Sequence, residues 1–309
     1  MILCCGEALI DMLPRRSVEG EAAFAPHAGG SVFNSAIAIG RLGVGCGFFS
    51  GLSGDLFGKM LRSKLEESHV DLSLARFSNR PTTLAFVTLT DGHAEYSFYD
   101  ENTAGRMIEP ADLPALGADV EALLFGGISL VSEPCGSAYE ALMARESKSR
   151  VTMLDPNIRP AFISHTANHR ARMQRMTALA DIVKISADDL AWFGEDGDAD
   201  AIARRWLARG PSLVILTDGG KGATAYTKQD KVFVAANPVT VVDTVGAGDT
   251  FNGALLAALS ENGLLRKERI AALTEEQIVE AIAFASRAAA ITVSRAGANP
   301  PWRDELSDV

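Results

Sequence analysis

Cysteine is scarce in this chain: four residues in 309, Cys4, Cys5, Cys46 and Cys135. None stands at a metal-ligating spacing or in a paired redox motif, so neither a zinc site nor a disulfide framework is expected. The thiols should be reduced and buried. A basic excess is missing too. Lys and Arg number 29 against 39 Asp and Glu, a net charge of −10, which argues against nucleic acid as a partner. The apolar start, Met1 to Leu13, has no basic flank and is broken by Glu7 and Asp11. It reads as a core strand over Ile2–Cys5, not as a signal peptide or membrane anchor, and the expected location is the cytoplasm. No internal repeat or low-complexity tract occurs. No glycine loop leads into a Lys-Ser/Thr pair, which excludes a Walker-type nucleotide site.

What is present is a core-forming chain, 47% hydrophobic, long enough for one large α/β domain or two smaller ones. Strand-like runs recur at 47–51, 122–125, 152–154, 182–185, 213–217, 224–226 and 231–235. Helical patterns separate many of them, at 34–41, 57–68, 138–144, 169–180, 199–208 and 275–293. This alternation predicts a largely parallel sheet covered on both faces. One segment departs from it. Thr82–Thr90 and Glu95–Tyr99 flank an Asp91-Gly92 turn and predict a hairpin. With extended pieces from Leu13–Phe24 it reads as a lid over a site; an edge hairpin of the main sheet is the plainer alternative.

The most specific string is Asp243-Thr244-Val245-Gly246-Ala247-Gly248-Asp249-Thr250-Phe251. A β-branched strand end at 239–242 precedes it and an Ala/Leu-rich helix follows. The loop therefore feeds a helix N-terminus, where unpaired N–H groups and the macrodipole favour an anion. Gly246 and Gly248 permit positive φ and close approach of a ligand. A carboxylate beside an anion site repels it, so Asp249 makes sense as a chemical group. It can accept the proton of a hydroxyl attacking a phosphoryl group, with the dipole expected to keep it ionised. The plainer reading of Asp249 is a helix cap.

Other residues suit the acceptor. Asp11, placed past the first strand, could hold vicinal hydroxyls, or be a solvated turn residue. Gly29 and Gly30 allow close backbone approach, and Asn34 offers a donor and an acceptor, or caps the next helix. Phe98 and Arg106 flank the end of the lid and are further sugar-contact candidates; a core aromatic is the commoner fate of the former.

Taken in order, these strings resemble the PfkB/ribokinase-like carbohydrate kinases, from Gly6 to Gly297. The resemblance implies a ribokinase-like three-layer α/β/α sandwich with a mostly parallel sheet, a single domain over 1–309, and a β-sheet lid at about 13–27 and 80–103. Gly246, Ala247 and Gly248 would then stabilise transferred charge, with Asp249 as the base. Asp155-Pro156-Asn157-Ile158-Arg159 resembles a family element whose Arg, here Arg159, lies near sugar or transferred phosphate; a structural salt bridge is the alternative. Thr217, Gly219 and Gly222 match the family's ATP loop, or form a plain glycine-rich hairpin. Lys184, Ser186 and Asp189 stand where the family has Asn-x-x-Glu, tied to Mg²⁺ through water; Ser186 could simply cap a helix. Small residues Ala281, Ala285, Ala288 and Ala289, with Ser286, resemble the adenine side. Asp243 with main-chain oxygens near Val245, Arg295 and Gly297 resembles a monovalent-cation site for K⁺, which not every member needs.

The chain departs from the family at Ser31-Val32-Phe33, where Ala-Pro-Ala is usual; the glycines and Asn34 are kept, and the bulkier Phe33 leaves the exact sugar pocket open. The implied activity is transfer of the γ-phosphoryl group of ATP to a sugar, fructose first. The alternative is 2-keto-3-deoxygluconate, with ribokinase and nucleoside kinase behind. A non-catalytic sugar- or nucleotide-binding regulator is the rival class. A homodimer through the lid is consistent with the apolar residues of 84–89.

Overall fold

In the computed structural model the described residues are 1–90 and 93–306, with side chains from 89 to 95 left aside. The Asp91-Gly92 turn lies outside them. The chain opens with β1 (Ile2–Cys5), β2 (Leu9–Arg16), β3 (Ala22–Gly29), α1 (Ser31–Arg41), β4 (Cys46–Phe49), β5 (Gly51–Ser53) and α2 (Leu56–Glu67). Next come β6 (Val70–Asp71), β7 (Arg76–Ser78), β8 (Thr83–Thr90), β9 (His93–Tyr99), β10 (Ala122–Gly126), α3 (Cys135–Glu146), β11 (Val151–Asp155) and α4 (Thr166–Leu179). The last part holds β12 (Ile182–Ser186), α5 (Ala187–Phe193), α6 (Ala199–Leu207), β13 (Leu213–Thr217), β14 (Gly222–Tyr226), β15 (Lys231–Ala235), α7 (Ala247–Glu261), α8 (Lys267–Ile270) and α9 (Glu275–Val293).

Nine strands form one sheet in the order β15-β14-β13-β12-β11-β10-β1-β4-β6. From β6 to β13 every pairing is parallel; β14 and β15 add an antiparallel edge. The period-2 alternation of β1 shows how both faces are filled. Ile2 and Cys4 enter the core shared with α1, α7 and α9, whereas Leu3 and Cys5 enter the core shared with α3, α4 and α6. All four cysteines are free and buried, as expected. No helix is long and apolar enough to cross a membrane.

The sheet reverses direction of growth at β1, which has β4 on one side and β10 on the other. Crevices at such switch points, beyond the carboxyl ends of strands, are where open α/β sheets take ligands.

A separate four-stranded sheet, β3-β2-β8-β9, stands apart from the main one. It starts earlier than the sequence implied, at Leu9, so Asp11 lies on a strand and not on a turn. Its register sets His27, Asp11, Ala85 and Phe98 in one cross-strand row. Strand side chains alternate faces. Asp11, Ala85 and Phe98 therefore share one face, while Phe24, Phe86 and Tyr99 pack together on the other.

Two local expectations fail. The single run at 47–51 is split, with β4 in the main sheet and β5 paired to β7. Residues 239–242 are not a strand. β15 ends the sheet before them, Pro238 interrupts the run, and the backbone there bonds to helix α9 instead, through Val242 N–H to the Val293 carbonyl at 2.8 Å.

Candidate active site

Helix α7 begins in the glycine loop. Gly246 is its cap, at φ 78°, a left-handed geometry that favours glycine, and an added Cβ would sit 2.6 Å from the Cβ of Ala298. Gly248 lies inside the first turn and needs no positive φ, contrary to expectation. Its bare Cα serves proximity instead: a Cβ there would lie 3.0 Å from Lys184 Nζ. Ala247 N–H makes a long bond to the Thr244 carbonyl at 3.4 Å. Among the described residues no acceptor meets the N–H groups of Gly248 and Asp249, as an anion-receiving turn requires.

Asp249 is the third residue of the helix, not its cap, and is 7% exposed. Asn34 Nδ2 donates to its Oδ2 at 2.9 Å, and Asn157 Nδ2 approaches Oδ1 at 3.5 Å. Asn34 lies within α1, whose cap is Gly30, so the capping alternative for Asn34 also falls away. Burial pushes the Asp249 carboxyl up to about 7; the Asn34 hydrogen bond pulls it down, Asp155 pushes it up, and Lys184 and Arg159 pull it down. The expectation that the helix dipole would hold it at ordinary acidity is therefore corrected: desolvation outweighs the dipole.

Beneath the turn lies a buried cluster in which Lys184, a sequence candidate on the nucleotide side, joins Asp155 and Asn252, which sequence reasoning did not single out as site residues. Lys184 Nζ donates to Asp155 Oδ2 at 3.0 Å, and Asn252 Nδ2 donates to the same oxygen at 2.6 Å. Asp155 and Asn157 belong to the Asp-Pro-Asn-x-Arg string, and Asn252 follows Asp249 by almost one helical turn, so periodicity could have found them. Asn157 sits at φ 44°, a conformation Asn tolerates better than most residues. Arg159 makes no ion pair among the described residues, against the salt-bridge alternative; its Nη1 donates to the Ile158 carbonyl. Its charge acts on Asp11, Asp189 and Asp249 alike.

At the other end, burial raises Asp11 to about 6 against the lowering effect of Arg159. Gly29 leaves room for the Asp11 carboxylate, whose Oδ2 a Cβ would meet at 2.3 Å unless that side chain shifted. Glu7 was overlooked as a support. Its carboxylate accepts from Ser31 N–H and Oγ at 2.9 and 3.0 Å, which ties the start of α1 to the end of β1. The bulky Phe33 of the departing string is fully buried and packs edge-on against Phe48 in the core.

On the nucleotide side, Thr217 ends β13, and Gly219 and Gly222, at φ 47° and 127°, turn the chain into β14, so the loop is a glycine-rich hairpin as well. Ser186 does cap α5, its Oγ accepting from Asp189 N–H at 3.0 Å. Asp189 Oδ1 accepts from Ile158 N–H at 3.1 Å, which links the two loops. Ala281, Ala285 and Ala288 are core residues and not a ligand surface; Ala289 is half-buried and Ser286 buried. Asp243 accepts from Val245 N–H at 3.0 Å and from Gly297 N–H at 2.9 Å, while the Arg295 side chain pairs with Glu305. The structure thus gathers Asp243, Val245 and Gly297 into one loop junction.

The buried carboxyl has a consequence for stability. A folded-state value near 7 against 3.8 unfolded favours the fold below pH 4, and that contribution is lost as pH rises through 7. Asp249→Asn keeps the shape without the charge. It should raise Tm by about 5 °C at pH 8 and by roughly half of that at pH 5.5, read by scanning calorimetry. An unchanged Tm at pH 8 would contradict the burial argument.

Comparisons place this geometry among known proteins. The profile of the pfkB family of carbohydrate kinases matches residues 1–305. A fructokinase of Rhizobium leguminosarum bv. trifolii is 56% identical over 278 residues, covering 90% of this chain and 85% of its own. The fructokinase of Xylella fastidiosa with bound ATP superimposes with a TM-score of 0.92 at 28% identity, covering 99% of this chain and 97% of that one. A Vibrio cholerae O395 fructokinase holding fructose, ADP and calcium gives a TM-score of 0.86 at 26% identity, with 99% and 97% covered. A ribokinase-like sandwich, a helix start built to receive an anion and a family match across nearly the whole length agree: the chain belongs to the pfkB family of carbohydrate kinases.

Proposed function

We propose that the protein is an ATP-dependent fructokinase that forms fructose 6-phosphate, with Asp249 as the general base. The observation that carries the reading is the buried carboxyl of Asp249 in a helix turn with unclaimed N–H groups, held by Asn34 from the sugar side. A carboxyl near pH 7 is far better matched to accept a hydroxyl proton than an ordinary aspartate. The N–H groups at the start of α7, with Gly246, Ala247 and Gly248 in the turn, receive the transferred charge.

The sugar end is Asp11, Gly29, Gly30 and Asn34, with Phe98 and Arg106 at its margin and Arg159 between sugar and phosphate. The four-stranded sheet acts as the lid, and the face bearing Asp11 and Phe98 turns toward the sugar. ATP lies along Thr217, Gly219 and Gly222 toward Lys184, Ser186 and Ser286. Mg²⁺ suits this end: Asp189 and Asp155 are close enough that the Asp155 charge, after burial, raises the pKa of Asp189. Among the described residues no group of three His, Cys, Asp or Glu is placed to hold a metal ion by itself. The ion would therefore be held mainly by phosphate and water, and would neutralise charge on the phosphates. A K⁺ at Asp243, Val245, Arg295 and Gly297 would stiffen the anion loop.

The test is a coupled ADP assay over fructose, 2-keto-3-deoxygluconate, ribose and adenosine, with and without Mg²⁺ and K⁺. Fructose should give the highest kcat/KM, with no turnover under chelation. Asp249→Asn should lower kcat by about 10²–10⁴ with little change in the KM for fructose. A variant as active as wild type would rule out Asp249 as the base.

We also infer a homodimer through the lid. Its outer face carries Phe24, Phe86 and Tyr99 in mutual edge contact, with Phe24 42% and Tyr99 57% exposed. Such a face favours burial against a second copy. Sedimentation velocity should show a dimer that Tyr99→Asp with Phe24→Lys converts to monomer; a monomeric wild type at micromolar concentration refutes it.

A further inference from the structure

Arg41 ends α1 and is buried, at 7% exposure. It makes no ion pair among the described residues, and its bonds go to neutral oxygens. Nη1 donates to Asn299 Oδ1 and to the Pro300 carbonyl, each at 2.7 Å, and Nε donates to Ser68 Oγ at 3.3 Å. The guanidinium lies 5.2 Å from the centre of the Trp302 ring, and the Arg41 carbonyl accepts from Arg303 N–H at 3.1 Å. One residue thus grips the chain from Asn299 to Arg303. A buried charge without a paired counter-ion is costly to keep, so its place calls for a reason beyond packing.

The residues just before the gripped stretch back the glycine turn. A Cβ built on Gly246 would stand 2.6 Å from the Ala298 Cβ and 2.9 Å from its Cα, and its three nearest atoms all belong to Ala298. Gly297 N–H donates to Asp243 Oδ2 at 2.9 Å, at the start of the same loop. Gly246 has no side chain to confine it and can leave its φ of 78° at little cost. Its setting must come from its surroundings, and Ala298 is what it rests against. Helix α1 then governs both sides of the turn. Asn34 reaches Asp249 from within the helix, and Arg41, two turns on and about 10 Å along the axis, fixes the segment behind Gly246.

We propose that Arg41 is a positioning residue for phosphoryl transfer: by holding Asn299 and Pro300 it keeps Ala298 seated against Gly246, and so keeps the N–H groups at the start of α7 aimed at the transferred charge. The proposal rests on the reading of that start as the phosphate-receiving turn. Donors that stabilise charge in the transition state act through being fixed beforehand. Loosening them lowers kcat, while the sugar, held at Asp11 and Asn34, keeps its KM.

Arg41→Lys keeps the charge and loses the forked grip. Ala298→Gly withdraws the contact with Gly246 and leaves the grip intact. Each should lower kcat about tenfold, with KM for the sugar within about twofold of wild type. The double variant should lose no more than the worse single, because both act through one contact. Rates are read with the sugar that wild type turns over fastest, well below each variant's Tm, so that unfolding adds nothing. Wild-type kcat in Arg41→Lys, losses that multiply in the double variant, or a change confined to KM would each overturn the proposal. Asp249→Asn, run alongside, separates the two readings. Full activity there refutes the turn as the phosphate end, whereas loss there with an unaffected Arg41→Lys refutes the role of Arg41 alone. Should Arg41→Lys fail to fold, Asn299→Ala removes one of its acceptors and takes its place in the same cycle.

Discussion

Two helix starts meet at one hydrogen bond, from Asn34 in α1 to Asp249 in α7, and the rest of the site depends on that meeting. The helices can come this close because Gly253 has no side chain: a Cβ there would lie 2.7 Å from the Ser35 carbonyl and 2.8 Å from the Ala38 Cβ. Ser35 Oγ then donates to the Asp249 carbonyl at 3.0 Å and fixes the register of the two helices. The close approach also shuts water away from the carboxylate. One packing contact therefore both places the sugar-side Asn beside the base and raises the basicity of that base.

The main sheet supplies what surrounds the meeting point. β1 delivers Glu7, which anchors the first turn of α1. β11 and β12 deliver Asp155 and Lys184, a buried pair completed by Asn252 from α7 itself. Removing either charge of such a pair leaves its partner uncompensated in a low-dielectric interior. The pair is thus better understood as a constraint on where α7 can begin than as a source of stability. Carboxyls at Asp11, Asp155, Asp189 and Asp249 converge on this region, with Lys184 and Arg159 as the opposing charges.

Much of this was legible in the sequence because local patterns decided it. The parallel sheet followed from strands alternating with helices, and the anion turn from glycines at a helix start. What the chain did not reveal depended on distant partners. The acidity of Asp249 is set by burial between α1 and α7, which lie 215 positions apart at this contact. Residues 239–242 look like a strand until the sheet is seen to end at β15. Phe33 looks like a pocket residue until its ring is found against Phe48. Asp11 and Phe98 could not be paired from spacing, because a cross-strand row through Ala85 joins them. The alanines of α9 suited an adenine, and tertiary packing used three of them for the core.

The central claim is that a single buried carboxylate, raised by packing, accepts the substrate proton. The pH dependence of kcat/KM for fructose under saturating MgATP tests it most directly, since that parameter reports the groups of the sugar-free enzyme. The account predicts an acid limb of unit slope with a midpoint near 7, activity falling below it as Asp249 takes up its proton, and disappearance of that limb in the residual activity of Asp249→Asn. A profile flat from pH 5 to 8, or an acid limb near 7 that persists in the variant, would contradict it.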